Sequence, residues 1–201
     1  MKPIVIDNII SQKELFYMYS EIVSSPGWNL VGQSTVEDNT QLMAAPLLKV
    51  KDSNLTNWNR PGLLQCWTFE NDHWNVCDGV QWAEDILKFL PFEYELQRVK
   101  INFNPKVNIS EDECMHPHCD MEEGKNSYTA IYYMNDSDGD TVIFNETKMD
   151  TFLNGEELSI KKRIKSKKGR FVMFKQDYLH AGFPPTKSDY RVVINFNFRM
   201  L

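Results

Sequence analysis

The chain has 201 residues, of which 42% are hydrophobic, 12% aromatic and 25% charged, the mix of one ordinary globular domain and not of a disordered, collagen-like or coiled-coil chain. A chain of this length buries about 70% of its unfolded surface, enough to fold without a disulfide or structural metal. Its formal charge of −6 argues against the broad positive footprint of a nucleic-acid binder, and no apolar run reaches the ~20 residues of a membrane helix.

The N-terminus turns polar by Asp7, too soon for a secretion signal, so the expected location is the cytoplasm. Pro3–Ile6 reads as a short strand. Ser11 with Glu14 makes a capping box, and Leu15, Met18, Tyr19 and Ile22 recur at helical spacing until Pro26-Gly27 stops the helix. The polar stretch through Arg60 contains few clear elements. A second helix is predicted over about Val80–Phe89, with Trp82, Ile86 and Phe89 on one side.

From Leu96 the pattern changes to strands. Val99, Ile101 and Phe103 alternate with Lys100, Asn102 and Asn104, and Tyr128–Met134, Thr141–Phe144 and Arg170–Phe174 are β-rich runs bounded by turn residues. The last strand puts Val192, Ile194, Phe196 and Phe198 on one face and Arg191, Asn195, Asn197 and Arg199 on the other. Without βαβ alternation, this order predicts an antiparallel β core, a sandwich or squashed barrel, buttressed by N-terminal helices. Lys161–Arg170 holds seven basic residues and no acid, and reads as a solvated hairpin. Cys66, Cys77, Cys114 and Cys119 contain no CxxC pair, so neither a zinc ribbon nor a thioredoxin-type motif is present, and without a secretion signal the expectation is a reducing compartment and free thiols.

Three of the histidines stand in informative places. In His118-x-Asp120 an extended backbone points imidazole and carboxylate the same way. His180 follows the Arg170–Phe174 strand, and Arg191 opens the final one. Two imidazoles and one carboxylate make the facial triad of non-heme Fe(II) oxygenases, which leaves metal positions open. A bidentate 2-oxo acid and dioxygen can fill them, and an arginine suits the far carboxylate of 2-oxoglutarate because its fork is planar and permanently charged.

His118-x-Asp120, His180 and Arg191 resemble the signature of the Fe(II)/2-oxoglutarate-dependent dioxygenases, especially the prolyl 4-hydroxylase-like branch. Ala130–Asn135 looks like that branch's strand after the HxD motif. Lys168–Phe174 leading into Leu179-His180-Ala181-Gly182 is similar to its approach to the distal histidine. The resemblance covers about residues 96–199 well and Ile4–Ile22 more loosely. It implies a double-stranded β-helix (jelly roll) over 96–199, supported by residues 1–95, in a single domain of 1–201. It implies Fe(II) held by His118, Asp120 and His180, with 2-oxoglutarate and O2 as cosubstrates. Arg191 would clamp the distal carboxylate, and Tyr133, Asn102 and Asn104 would contact the cosubstrate. The implied reaction is hydroxylation of a C–H bond, in a peptidyl proline, another residue or a small molecule, with release of succinate and CO2. The chain departs from the pattern at Pro105-Lys106, where relatives commonly have Pro-Gly, and at Gly139-Asp140, where Gly-Gly is frequent.

Other readings stay in view. His116 shares the face of His118 but lacks the spacing to Asp120. Cys114, His116, His118 and Cys119 could form a zinc cluster, although their spacing matches no common structural zinc pattern. Two rivals concern function: a cupin-like metal enzyme that does not use 2-oxoglutarate, and a jelly-roll binding protein with a vestigial site.

Overall fold

Ser11 and Glu14 close on each other across the first helical turn: Glu14 Oε2 accepts from the Ser11 amide at 2.8 Å and Ser11 Oγ from the Glu14 amide at 3.2 Å. This reciprocal cap starts helix α1 (Gln12–Ser24) after the short strand β1 (Ile4–Asp7), as the sequence predicts. The computed structural model describes residues 2–24, 29–31, 49–58, 62–70, 73–75, 85–120, 126–147 and 154–201. Pro26-Gly27, Trp82 and the first half of the predicted second helix lie outside the described residues. What is described of that helix is one turn at Asp85–Leu87, with Ile86 and Leu87 buried.

The strands begin earlier than the alternation suggests. Residues before Leu96 add β2 (Asn29–Val31), β3 (Thr56–Trp58), β4 (Gly62–Glu70) and β5 (His73–Asn75). The remainder follow as β6 (Tyr94–Pro105), β7 (Glu113–Met115), β8 (Ser127–Tyr133), β9 (Thr141–Phe144), β10 (Ile160–Ile164), β11 (Arg170–Lys175), β12 (His180–Gly182) and β13 (Tyr190–Met200). An eight-stranded sheet runs β1-β11-β8-β13-β6-β4-β2 with β5 attached to β4, and a second sheet runs β10-β9-β12. All pairings within these two sheets are antiparallel, while β3 and β7 pair in parallel. The architecture is a mostly β jelly roll with few helices. No helix among the described residues is long and apolar enough to cross a membrane.

Alternation along the strands assigns each face of the large sheet a different job. Val192, Ile194, Phe196 and Phe198 of β13 join Val99 and Ile101 of β6, Ala130 and Tyr132 of β8 and Phe171 of β11 on the outer face. There Leu15, Met18 and Ile22 of α1 cover them, together with Ile86 and Leu87. On the inner face Ile131, Tyr133, Val172, Phe174 and Val193 meet Ile143 and Ile164 of the small sheet. This apolar half of the interior closes the roll, so the polar half beside it becomes a cleft.

The basic run is not a hairpin. Its first half is β10, paired with β9, and its end is β11, paired with β8 and β1, so the run crosses from one sheet to the other. Four of its seven charges are matched in place: Arg163 and Lys165 reach Asp140, and Lys167 and Arg170 reach Asp7.

Candidate active site

The cleft is built where two strands turn polar side chains inward. β6 carries Arg98, Asn102 and Asn104 on the inner face, and β13 carries Arg191, Val193, Asn195 and Asn197. The register sets Arg191 beside Asn104, Val193 beside Asn102, Asn195 beside Lys100 and Asn197 beside Arg98. Lys100, Asn102, Asn104, Arg191 and Asn195 line one wall, and His118, His180, Gly182 and Thr141 contribute to the other. The empty space enclosed, mouth included, is about 420 Å³.

His118 and His180 face each other as a single antiparallel bridge, each amide donating to the other's carbonyl at 3.0 Å. The Nδ1 atoms lie 3.1 Å from the carbonyls of His116 and Tyr178 respectively. A carbonyl can only accept, so each Nδ1 carries the proton and each Nε2 keeps its lone pair for another partner. Both Nε2 atoms stand 3.6 Å from Asp120, His118 from Oδ1 and His180 from Oδ2. The three candidate donor atoms all lie within 4.8 Å of one another. Burial holds the His180 imidazole neutral, lowering its pKa from 6.5 to about 4 against the opposing pull of Asp120. Burial also opposes ionisation of Asp120, yet His180, His118 and Arg98 hold its carboxyl well below the usual range.

These residues fit a divalent transition metal. His180 Nε2 is buried and has no hydrogen-bond partner among the described residues, a cost that a metal bond would remove. Two neutral imidazole nitrogens and an ionised carboxylate on one side of a cleft are the donor set that Fe(II) takes in oxygenases. His116 is buried but lies outside this group. The zinc alternative does not assemble: Cys114 is packed in the core beneath the small sheet, its thiol pushed up to about 12 by burial, and Cys119 Sγ donates to the Asp177 carbonyl.

Arg191 is 4% exposed and reaches no carboxylate among the described residues. Its Nε donates to the Gly139 carbonyl at 2.7 Å, Nη2 to Thr141 Oγ1 at 2.9 Å and Nη1 to Asn104 Oδ1 at 3.3 Å. Gly139 makes room for it, since a Cβ there would stand 2.6 Å from Arg191 Cδ. Burial lowers the guanidinium's pKa, opposed by Tyr133 and Asp140. Tyr133 gives its hydroxyl to Thr141 at 2.7 Å and sets its ring 5.7 Å from the guanidinium. Asn102 Oδ1, Asn104 Nδ2 and Asn195 Oδ1 are buried without a hydrogen-bond partner among the described residues, so this end of the cleft is made for a polar guest.

The structure thus brings His118, Asp120 and His180 together and lines the same cleft with Arg191, Asn102 and Asn104, while Tyr133 stands behind Thr141. It adds three residues the sequence reading did not single out. Thr129 Oγ1, Asn197 Nδ2 and Arg98 Nη2 all donate to Asp120, at 2.8, 3.1 and 3.1 Å. The alternation of the last strand put Asn197 on the polar face with Arg191, but nothing in the sequence set it, Arg98 or Thr129 against this carboxylate.

Residues 105–199 match the profile of the 2OG-Fe(II) oxygenase superfamily. No curated protein sequence matches the chain. Among solved structures, the chain is similar to the viral collagen prolyl hydroxylase of Paramecium bursaria Chlorella virus-1 bound to 2-oxoglutarate, at 15% identity and TM-score 0.55, covering 100% of this chain and 97% of that one. It is similar to a Trichoplax adhaerens prolyl hydroxylase in complex with a hypoxia-inducible-factor peptide fragment, at 10% identity and TM-score 0.55, over 98% of this chain and 83% of that one. It is also similar to SnoN, a non-heme α-ketoglutarate-dependent epimerase of nogalamycin biosynthesis, at 9% identity and TM-score 0.51, over 98% and 76%. The profile match over residues 105–199 takes in His118, Asp120, His180 and Arg191, and the jelly roll around them gathers two imidazoles and a carboxylate in one cleft: this part of the chain is similar to the 2OG-Fe(II) oxygenase superfamily, and the protein is a dioxygenase dependent on Fe(II), 2-oxoglutarate and O2.

Proposed function

We propose that the protein is a hydroxylase in which His118, Asp120 and His180 hold the iron and Arg191 receives the distal carboxylate of 2-oxoglutarate. The observation that carries this reading is the buried Arg191 guanidinium, which opens into the same cleft as the two imidazoles without a carboxylate of its own among the described residues. Leaving a cation so placed is costly unless an anion joins it. When bound, Fe(II) would supply the oxidative decarboxylation of 2-oxoglutarate to succinate and CO2 and the delivery of an oxygen atom to a C–H bond.

The chain's own residues supply orientation. Gly139, Thr141 and Asn104 fix the plane of the guanidinium, so it offers its remaining N–H groups in one direction. Asn102, Asn104 and Asn195 give the cosubstrate polar partners along the wall. The carbonyls of His116 and Tyr178 hold both imidazoles in the tautomer that presents Nε2. Tyr133 acts through Thr141, keeping its hydroxyl turned to both the phenol and Arg191.

The substrate class we propose is a prolyl peptide, supported by the likeness in fold to two prolyl hydroxylases, one of them in complex with its peptide fragment. Anaerobic titration with Fe(II) and 2-oxoglutarate tests the cosubstrate assignment: the visible charge-transfer band of the chelate should appear in wild type and not in Asp120→Ala. Its absence from wild type would point to a jelly-roll binding protein. Succinate release stimulated by proline-containing peptides tests the substrate class, and stimulation by free small molecules alone would overturn it.

A further inference from the structure

A carboxylate has about four lone-pair positions, and in Asp120 three are filled. Thr129 and Asn197 donate to Oδ2, and Arg98 Nη2 donates to Oδ1. Arg98 makes a second bond, its Nε donating to Asn197 Oδ1 at 2.8 Å. Because Nε–H can only donate, this bond fixes the amide of Asn197 and turns its Nδ2 toward Asp120. Arg98, Asn197 and Asp120 therefore close a ring in which each member touches the other two. The sheet explains why they meet: Asn197 is paired with Arg98 on β6 and with Thr129 on β8, so three adjacent strands each supply one donor at the same level.

We infer that Arg98 is a positioning residue for the metal, acting through Asp120 and Asn197. It holds the carboxylate in its ligating orientation before metal arrives and leaves one lone pair, on Oδ1, for the cation. The inference rests on the reading of His118, Asp120 and His180 as the ligands. Its physical basis is twofold. The Asp120 side chain is 3% exposed and that of Arg98 17%, so an unmatched carboxylate here would be expensive. One edge of the guanidinium must also serve two acceptors, which a lysine ammonium cannot do with the same geometry.

Mn(II) binding to the full-length, metal-free protein tests this, with EPR reading both the free ion and the symmetry of the bound one. Removing an outer partner of a metal ligand weakens affinity by about 10–100-fold, and Arg98→Met should do so and alter the bound Mn(II) spectrum at saturation. Arg98→Lys, which keeps the charge pair and so the fold, should fall between wild type and Arg98→Met. It carries the test if Arg98→Met does not fold, as judged by a metal-free melt. Wild-type affinity and an unchanged spectrum in the folded variants would overturn the role of Arg98. Asp120→Ala separates the two readings. If it loses Mn(II) while the Arg98 variants do not, only the role of Arg98 falls; if it keeps Mn(II), the ligand assignment falls and this inference with it.

Discussion

Replacing Arg191 with Met removes a buried cation but keeps a side chain of similar length, so the fold and the cosubstrate site can be read separately. Three of the five guanidinium N–H groups are spent on Gly139, Thr141 and Asn104, which leaves about two for a carboxylate. Hydrogen bonds to charged groups contribute roughly 1.5–3 kcal/mol each. Losing both should weaken 2-oxoglutarate binding by about 100-fold or more, and Arg191→Lys, which keeps the charge without the fork, by about tenfold or more. Thermal denaturation with Mn(II) present is a suitable assay. A ligand at 100 times its Kd stabilises the folded state by about 2.7 kcal/mol, or about 5–11 °C in Tm for a chain of this size. At the same concentration Arg191→Met should shift by no more than about 1–2 °C. Its melt without cosubstrate should stay near wild type, since exchanging a buried charge for an apolar group is often neutral. A full cosubstrate shift in Arg191→Met would refute the clamp.

Four further outcomes are expected. His118→Ala should lose metal while His116→Ala retains it, measured by equilibrium dialysis with Mn(II); the reverse would move the ligand set. Gly139→Ala places a Cβ 2.6 Å from both Arg191 Cδ and the Phe183 carbonyl oxygen. Overpacking of this kind costs about 1–3 kcal/mol, so a lowered Tm should accompany weaker 2-oxoglutarate binding. In the metal-free protein the unfolded chain protonates His180 near 6.5 and the folded one only near 4. Stability present above pH 6.5 should therefore drain away as pH falls toward 4, by about 3 kcal/mol in urea unfolding, and His180→Gln should flatten that slope. Asp7→Asn removes the carboxylate charge gripped by Arg170 and Lys167 and should cost about 1 kcal/mol of stability with metal binding unchanged.

How much of this was legible depended on whether a contact is local. The capping box at Ser11 and Glu14 involves residues three apart and is found as read. β6 and β13 are visible because alternation is local too, and His118-x-Asp120 needs only a strand's period of two. β4 escaped because its apolar residues Leu63, Leu64, Cys66, Trp67 and Phe69 follow no period of two along the sequence. The parallel pairing of β3 with β7 joins Thr56 to Glu113, a partnership that no window of sequence contains. Arg98 shows the same limit within the site. Its meeting with Asp120 required the register of β13 against β6 on one side and β8 on the other. The basic run is solvated as read, with Lys162, Arg163, Lys165, Lys167 and Lys168 exposed, but its two ends pair with different sheets, a long-range choice that its charges do not reveal.

The backbone bridge between His118 and His180 has a consequence for how the centre comes to be filled. Two main-chain hydrogen bonds of 3.0 Å stitch the carriers of both imidazoles together without help from any side chain. Because the stitch uses main-chain groups alone, it calls on neither imidazole and on no ion, and iron is expected to be a passenger rather than a fastener of the roll. Metal should be stripped and exchanged on the folded protein, one ion for another, with no refolding step between.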